Sequence, residues 1–128
     1  MPVRLRRAPR TEVDAALARL DAGSATDDDA RLLVKHLLAV LTERAPGASV
    51  EVRVPPYAVA QCVSGARHTR GTPPAVVETD ATTWITLATG RQSWAAAVAD
   101  GRLRVSGERS DLAGLLPLHE PTEPGSTH

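Results

Sequence analysis

The chain has 128 residues, 42% of them apolar and 23% charged, and its fifteen basic residues balance its fifteen acidic ones. This length allows one domain with one core, and zero net charge together with only three aromatic residues argues against nucleic acid as a partner. A single cysteine, Cys62, excludes an internal disulfide, and the lack of a long apolar run predicts a cytoplasmic protein without stable membrane insertion.

Residues 1–10 contain four arginines and no acidic side chain, which predicts a disordered basic tail. Thr11 is then predicted to cap a short helix that ends at Gly23. The apolar face of this first helix consists of Val13, Ala16, Leu17 and Leu20.

The second predicted helix has the clearest pattern in the chain. Thr26 suits the N-cap, and the aspartates at 27–29 suit the first turn, where the helix dipole favours negative charge. Pro46 and Gly47 end the helix. A continuous stripe, which must pack on a sheet or another helix, runs through Ala30, Leu33, Val34, Leu37, Leu38 and Leu41.

The hydrophobic period then changes to two, which predicts strands. Val50, Val52 and Val54 alternate with charged residues in a half-buried strand, and residues 57–63 and 75–79 predict two more. A later strand, 102–106, is expected to turn Leu103 and Val105 inward.

Helices are predicted on either side of that later strand. Asp80 is expected to cap one that ends at Gly90, and a second covers 93–101. Ser110 is expected to cap a short last helix that Pro117 terminates.

This order of elements predicts an α+β fold. We expect a mostly antiparallel sheet of about four to five strands with helices packed on one face. Residues 11–118 are expected to form the single domain, followed by a disordered tail over 119–128, which is polar and rich in proline and glycine.

Residues 84–116 resemble the C-terminal half of the sterol carrier protein type 2 family, and the chain is similar to a short bacterial branch of it. The shared pattern is a helix ending in glycine, an aromatic-led helix, an alternating strand and a final leucine-bearing segment. In this sequence the pattern falls on Leu87, Gly90, Trp94, Gly101, Leu103, Val105, Gly107, Glu108, Leu112 and Leu115.

The resemblance implies a non-enzymatic carrier that holds a lipid or another small hydrophobic ligand in an apolar cavity between sheet and helices. It supplies no catalytic residues and no cofactor. Because this chain has no phenylalanine and its helices are rich in alanine, we expect a small ligand or none. The expected apolar wall consists of Leu33, Leu37, Trp84, Leu87, Trp94 and Val98.

The stretch 65–74, GARHTRGTPP, is the candidate polar end of such a site. Arg67, His68 and Arg70 lie within four residues, and arginine pairs well with a carboxylate or phosphate. The alternative is a solvated connection between strands, because in an extended segment Arg67 and Arg70 point to opposite faces.

Other reactive residue types suggest no chemistry. Cys62 is expected to be a small buried residue, His36 a partly exposed helix residue, and His119 and His128 parts of the tail. No spacing of histidine or acid indicates a metal site. The competing interpretation of the whole chain is an accessory module with a closed core, which binds a protein partner and no ligand.

Overall fold

The computed structural model describes residues 5–65, 74–107 and 111–119. In these ranges no helix is long and apolar enough to span a membrane. The elements in chain order are α1 (Arg10–Asp21), α2 (Asp27–Arg44), β1 (Val50–Val54), β2 (Ala58–Cys62), β3 (Ala75–Thr79), α3 (Ala81–Ala88), α4 (Trp94–Ala99), β4 (Leu103–Ser106) and a 3-10 helix (Ala113–Leu115).

The four described strands form one mixed sheet in the order β2-β1-β3-β4. β1 pairs antiparallel with β2 and parallel with β3, and β3 pairs antiparallel with β4. Val52 lies opposite Ala60 on one side and Val77 on the other. The predicted α+β fold is confirmed. The parallel pair arises because the chain returns from edge strand β2 to the far side of β1.

One face of the sheet forms the floor of the core. Val50, Val52 and Val54 are fully buried, whereas Arg53 on the opposite face is exposed, as the period of two predicts. The predicted stripe of α2 supplies the other half of the core. Its buried apolar residues are Leu33, Val34, Leu37, Leu38, Ala39, Val40 and Leu41.

The start of α2 is fixed by a capping box, which also links it to α1. The Thr26 hydroxyl accepts from the Asp29 amide at 3.1 Å, and the Asp29 carboxylate accepts from the Thr26 amide at 3.0 Å. Arg19 donates to both Asp29 oxygens at 2.8 Å. This guanidinium and the Thr26 amide hold the pKa of Asp29 well below its ordinary value.

The prediction of Thr11 as a helix cap is wrong. α1 begins at Arg10, and the carbonyl of Pro9 accepts the amides of Glu12 and Val13 at 3.0 and 3.1 Å. Proline suits a helix entry because its φ is fixed near the helical value. Thr11 is therefore an exposed residue of the first turn.

Two histidines are more buried than the sequence predicts. His36 is buried on α2, and its Nδ1 accepts from the Ala8 amide at 2.9 Å, so residues assigned to a basic tail lie against this helix. His119 is buried as well, and its amide donates to the Ala88 carbonyl at 3.2 Å. The expectation of a partly exposed His36 is wrong, and His119, which was assigned to the tail, is buried, because backbone hydrogen bonds hold residues near both histidines on the helices.

Pro117 and Leu118, near the end of the described residues, form hydrogen bonds with α2 and α3. Arg44 donates to the carbonyls of Pro117 and Leu118 at 3.2 and 3.0 Å, and the Leu118 amide donates to Ala88 at 2.7 Å. The leucine side chain is buried. These contacts place residues 117 and 118 at the ends of both helices.

Two features of β4 and the 3-10 helix differ from the prediction. Val105 shares the face of Val77 in the pairing register, yet it is 40% exposed because β4 is an edge strand. The expected last helix is a single 3-10 turn, in which the Asp111 carboxylate accepts from the Ala113 amide at 2.8 Å. Ser110, its expected cap, lies outside the described residues.

Replacing Thr26 tests the capping box. Thr26→Ala removes one of the two reciprocal hydrogen bonds, and we expect a loss of about 1 kcal/mol in the free energy of unfolding, measured by urea titration. Thr11→Ala is the matched control, because this threonine caps nothing, and it should leave stability unchanged or slightly raised. Equal losses in both variants would contradict the assignment of the cap.

Stability is also expected to fall in mild acid. Burial lowers the pKa of His36, and protonating Nδ1 would remove the acceptor of the Ala8 amide. The histidine of the unfolded chain has the higher pKa and takes up the proton first as the pH falls. The contribution of His36 to the free energy of unfolding is therefore fully present above about pH 6.5 and declines below it. The groups that act on this imidazole are Arg7, Arg10, Glu43 and His119.

The test compares urea unfolding at pH 7.5 and 5.5. His36→Asn keeps an acceptor for the Ala8 amide without a titrating group, so the acid-induced loss should be smaller than in the wild type. Burial also lowers the pKa of His119, so this residue likewise makes stability fall in acid. The variant with both histidines replaced should therefore lose the least stability between pH 7.5 and 5.5. An unchanged pH dependence in the double variant would contradict this account.

Candidate functional site

An apolar groove opens at the end of the core where α2, β2 and the 3-10 helix meet. Its volume is about 590 Å³. Ser64 and Asp111 are its polar members, and carbon atoms dominate the rest of the surface. The lining residues are Ala45, Pro46, Val63, Ser64, Asp111, Leu112 and Leu115.

Val63 lines the groove and has an unusual backbone conformation. Val63 has a φ of +64°, a left-handed conformation that costs a β-branched residue on the order of 1–3 kcal/mol. Three hydrogen bonds keep it there. Its amide donates to Ala45 at 2.7 Å, and its carbonyl accepts from the amide and hydroxyl of Ser49 at 2.9 and 2.6 Å.

At the rim of the groove, the backbone at Gly47 passes close to the backbone at Val63. A Cβ at this position would lie 2.2 Å from the Val63 carbonyl oxygen, and its φ of +146° is one that other residues rarely adopt. The Ser64 hydroxyl donates to Pro46 at 3.0 Å on the same side. The rim of the groove is therefore held in one conformation by contacts within the protein.

The residues expected to form an apolar wall lie elsewhere. Trp84 and Leu87 on α3 are completely buried in the core, Trp94 at the start of α4 is half-buried, and Val98 is 39% exposed. Leu33 and Leu37 are core residues of α2. None of these six side chains lines the groove described above.

The residues expected to bind an anionic group, Arg67, His68 and Arg70, lie outside the described part of the chain. The residues that line the groove were assigned no binding role from the sequence. Pro46 was considered only as the end of α2. The one signal toward this site is that Leu112 and Leu115 belong to the pattern shared with sterol carrier proteins.

Trp84 introduces a polar atom into the core. Its indole Nε1 is buried and has no hydrogen-bond partner among the described residues, and the same holds for Nε2 of Gln92 in the turn after α3. Most buried polar atoms in proteins are paired. Within the described part of the chain, these two buried donors have no acceptor.

The described part of the chain holds one buried cysteine and no cluster of metal-ligating side chains. Burial raises the pKa of the Cys62 thiol to about 11, so the thiol remains protonated at neutral pH and is a poor nucleophile. Among residues 5–65, 74–107 and 111–119, no group of three metal-ligating side chains comes together.

A second groove, also of about 590 Å³, lies between α1 and the end of α3. Arg91 donates to both oxygens of Asp21 at 2.9 and 2.7 Å, and this pairing lowers the pKa of the carboxyl. Asp21 and Arg91 are therefore paired with each other, and Asp14 pairs with Arg10. The lining residues are Asp14, Leu17, Ala18, Asp21, Thr89, Arg91 and His119.

The sequence matches a known protein family over most of its length. A family model described as bacterial SCP ortholog, where SCP denotes sterol carrier protein, matches residues 27–118, more than two thirds of the chain. The match begins at the first residue of α2 and includes the sheet and the groove, while α1 precedes it. No curated protein matches the sequence significantly. The chain belongs to the bacterial branch of the sterol carrier protein family.

Proposed function

We propose that this protein is a non-enzymatic carrier of a small hydrophobic or amphipathic ligand, which it holds in the groove between α2, β2 and the 3-10 helix. The observation that carries the proposal is the apolar groove itself, whose rim is fixed by Gly47 and Val63. Membership in the sterol carrier family supports the same class of function. We further propose a cytoplasmic location, since the single buried thiol requires no oxidising compartment.

The size and surface of the groove suit a small lipid-like molecule. Ligand sites in proteins have volumes of roughly 300–1,000 Å³ and are lined mainly by apolar side chains with a few polar groups. The groove meets both conditions. Each methylene of a ligand transferred from water to such a wall contributes about 0.8 kcal/mol, so binding would come chiefly from burial of an alkyl chain.

A polar end of the ligand would meet the segment that follows the groove in sequence. Ser64 lines the groove, and Arg67, His68 and Arg70 come three to six residues later. We propose that these side chains bind an anionic group, because a guanidinium forms parallel hydrogen bonds with a carboxylate or phosphate. The proposed contact rests on this proximity in the sequence.

A second candidate is an accessory module that binds a protein partner through its surface. The observation in its favour is the complete burial of Trp84, Leu87, Leu33 and Leu37, because these side chains close the core where a wide tunnel would need an opening. In this case the groove would hold no ligand. Binding measurements on the groove separate the two candidates.

Introducing a charge into the groove should weaken binding. Leu115 is only half-buried, so Leu115→Glu should fold, while its carboxylate opposes an alkyl chain. We expect about a tenfold higher Kd for decanoic acid, measured by calorimetry. Val59→Glu, on the exposed face of β2, is the control and should bind as the wild type does. Equal affinity of all three proteins would exclude this groove as the site.

Removing the arginines should affect only anionic ligands. Arg67→Ala with Arg70→Ala is expected to raise the Kd for decanoate about tenfold and to leave that for 1-decanol unchanged. The charge-matched control replaces Arg53 and Arg104, which are exposed on the sheet face opposite the core. If decanoate binding is lost equally in the control, general electrostatic attraction explains the effect and the proposed contact fails.

A further inference from the structure

Asp111 gives the groove between α2, β2 and the 3-10 helix a charged hydrogen-bond acceptor. It is the charged member of the lining, and its side chain is exposed. The carboxylate accepts the Ala113 amide at 2.8 Å, which holds the side chain at the start of the 3-10 turn. A carboxylate has about four lone-pair positions on its two oxygens. One such bond therefore leaves it able to accept from a ligand.

Ser64 adds a second acceptor, because its proton is used within the protein. The Ser64 hydroxyl donates to the Pro46 carbonyl at 3.0 Å, and the residue is exposed at the groove. A hydroxyl has one proton and two lone pairs. While this bond is kept, the oxygen can accept from a ligand but has no proton to donate. Both polar side chains of the groove thus offer lone pairs.

Backbone N–H groups of the lining are engaged within the fold. Ala45 donates to a carbonyl of α2 at 2.9 Å, and Val63 donates to Ala45 at 2.7 Å. Leu115 donates to Leu112 at 2.9 Å, and Pro46 has no N–H. At these four of the seven lining positions, the backbone offers a ligand no donor.

The position of the groove at the C-terminal end of α2 adds to this character. Ala45 is the C-cap of the helix, and the helix dipole is negative at this end. Arg44, the basic residue of the last turn, donates to the carbonyls of Pro117 and Leu118 at 3.2 and 3.0 Å. Its guanidinium is therefore engaged with the backbone of the last described residues. The charges around the groove favour a donor or a positive group.

We propose that the groove selects amphipathic ligands that carry a hydrogen-bond donor, a hydroxyl or amino group, over ligands of the same size with acceptors alone, and that Asp111 binds this donor. The inference rests on the proposed carrier function and specifies the ligand class of the same groove. An acceptor placed here would lose its hydrogen bonds to water and face only lone pairs. The anionic group proposed above is assigned to the segment after Ser64, so the two contacts involve different atoms of a ligand.

Two isomers test this selection in the wild-type protein. 1-Decanol and 1-methoxynonane contain the same atoms, and only the alcohol has an O–H donor. The wild type should bind 1-decanol with about a tenfold lower Kd, measured by calorimetry. Without an acceptor in the groove the preference would vanish or reverse, because the alcohol loses more hydration than the ether.

Asp111→Asn tests the assignment to this side chain. The amide oxygen can still accept from Ala113, while the other position changes from an acceptor to an NH₂ donor. The preference for 1-decanol should fall about tenfold, since both isomers have an oxygen that accepts from this group. Asp100→Asn is the charge-matched control, because Asp100 is exposed at the end of α4 and does not line the groove. It should keep the wild-type preference.

Decylamine gives a second readout, because its ammonium group at neutral pH donates and does not accept. We expect the wild type and Asp100→Asn to bind it equally, and Asp111→Asn to bind it with about a tenfold higher Kd. Equal Kd values in all three proteins would contradict a contact between the donor and Asp111.

The outcomes separate this inference from the carrier function. Equal binding of the two isomers by the wild type, or an unchanged preference in Asp111→Asn, would overturn donor selection and leave the carrier function standing. The same loss in Asp100→Asn would assign the effect to net charge and overturn the role of Asp111. If the wild type binds neither isomer and no decylamine, both proposals fail.

Discussion

Burial of the apolar stripe of α2 against the sheet is the interaction on which the rest of the structure depends. Leu33, Leu37, Leu38 and Leu41 are all without solvent exposure, and burial of a side chain of this size contributes about 1.5–3 kcal/mol. α1 attaches to this helix through Arg19 and the capping box. The other end of α2 leads into the groove and, through Arg44, holds the last described residues.

This arrangement separates a closed core from an open groove. The centre of the molecule is filled by leucine, valine, alanine and one tryptophan, and such side chains pack densely and leave little volume. At the end of α2 the chain instead leaves a groove, with a strained Val63 held by Ser49 and Ala45. The hydrogen bonds around Val63 keep the backbone in this unfavourable conformation, so contacts within the protein fix the shape of the groove.

Much of the fold could be predicted from the sequence, because its signals were local. Capping residues Thr26 and Asp80 each accept a backbone amide as expected, and the alternation of valines in β1 determined the buried face. The parallel pairing of β1 with β3 has no local signal, since it depends on where the chain returns to the sheet.

The site was harder to predict for the same reason. Residues of the groove come from three separate parts of the chain, and the contact between Gly47 and Val63 joins positions sixteen apart that have no shared pattern. His36 was expected to be partly exposed and His119 to belong to the tail, because hydropathy does not report a hydrogen bond with the backbone of another segment. Trp84 was expected in the wall of a ligand cavity, whereas its complete burial in the core depends on packing in three dimensions.

Native mass spectrometry of the wild-type protein with decanoic acid tests the central claim most directly. A carrier with a formed groove should give one added ligand mass at near-stoichiometric occupancy, and Leu115→Glu should reduce that occupancy. A bare protein mass at saturating decanoic acid under gentle ionisation, with the protein fully folded, would contradict the carrier account and favour a closed module with a protein partner.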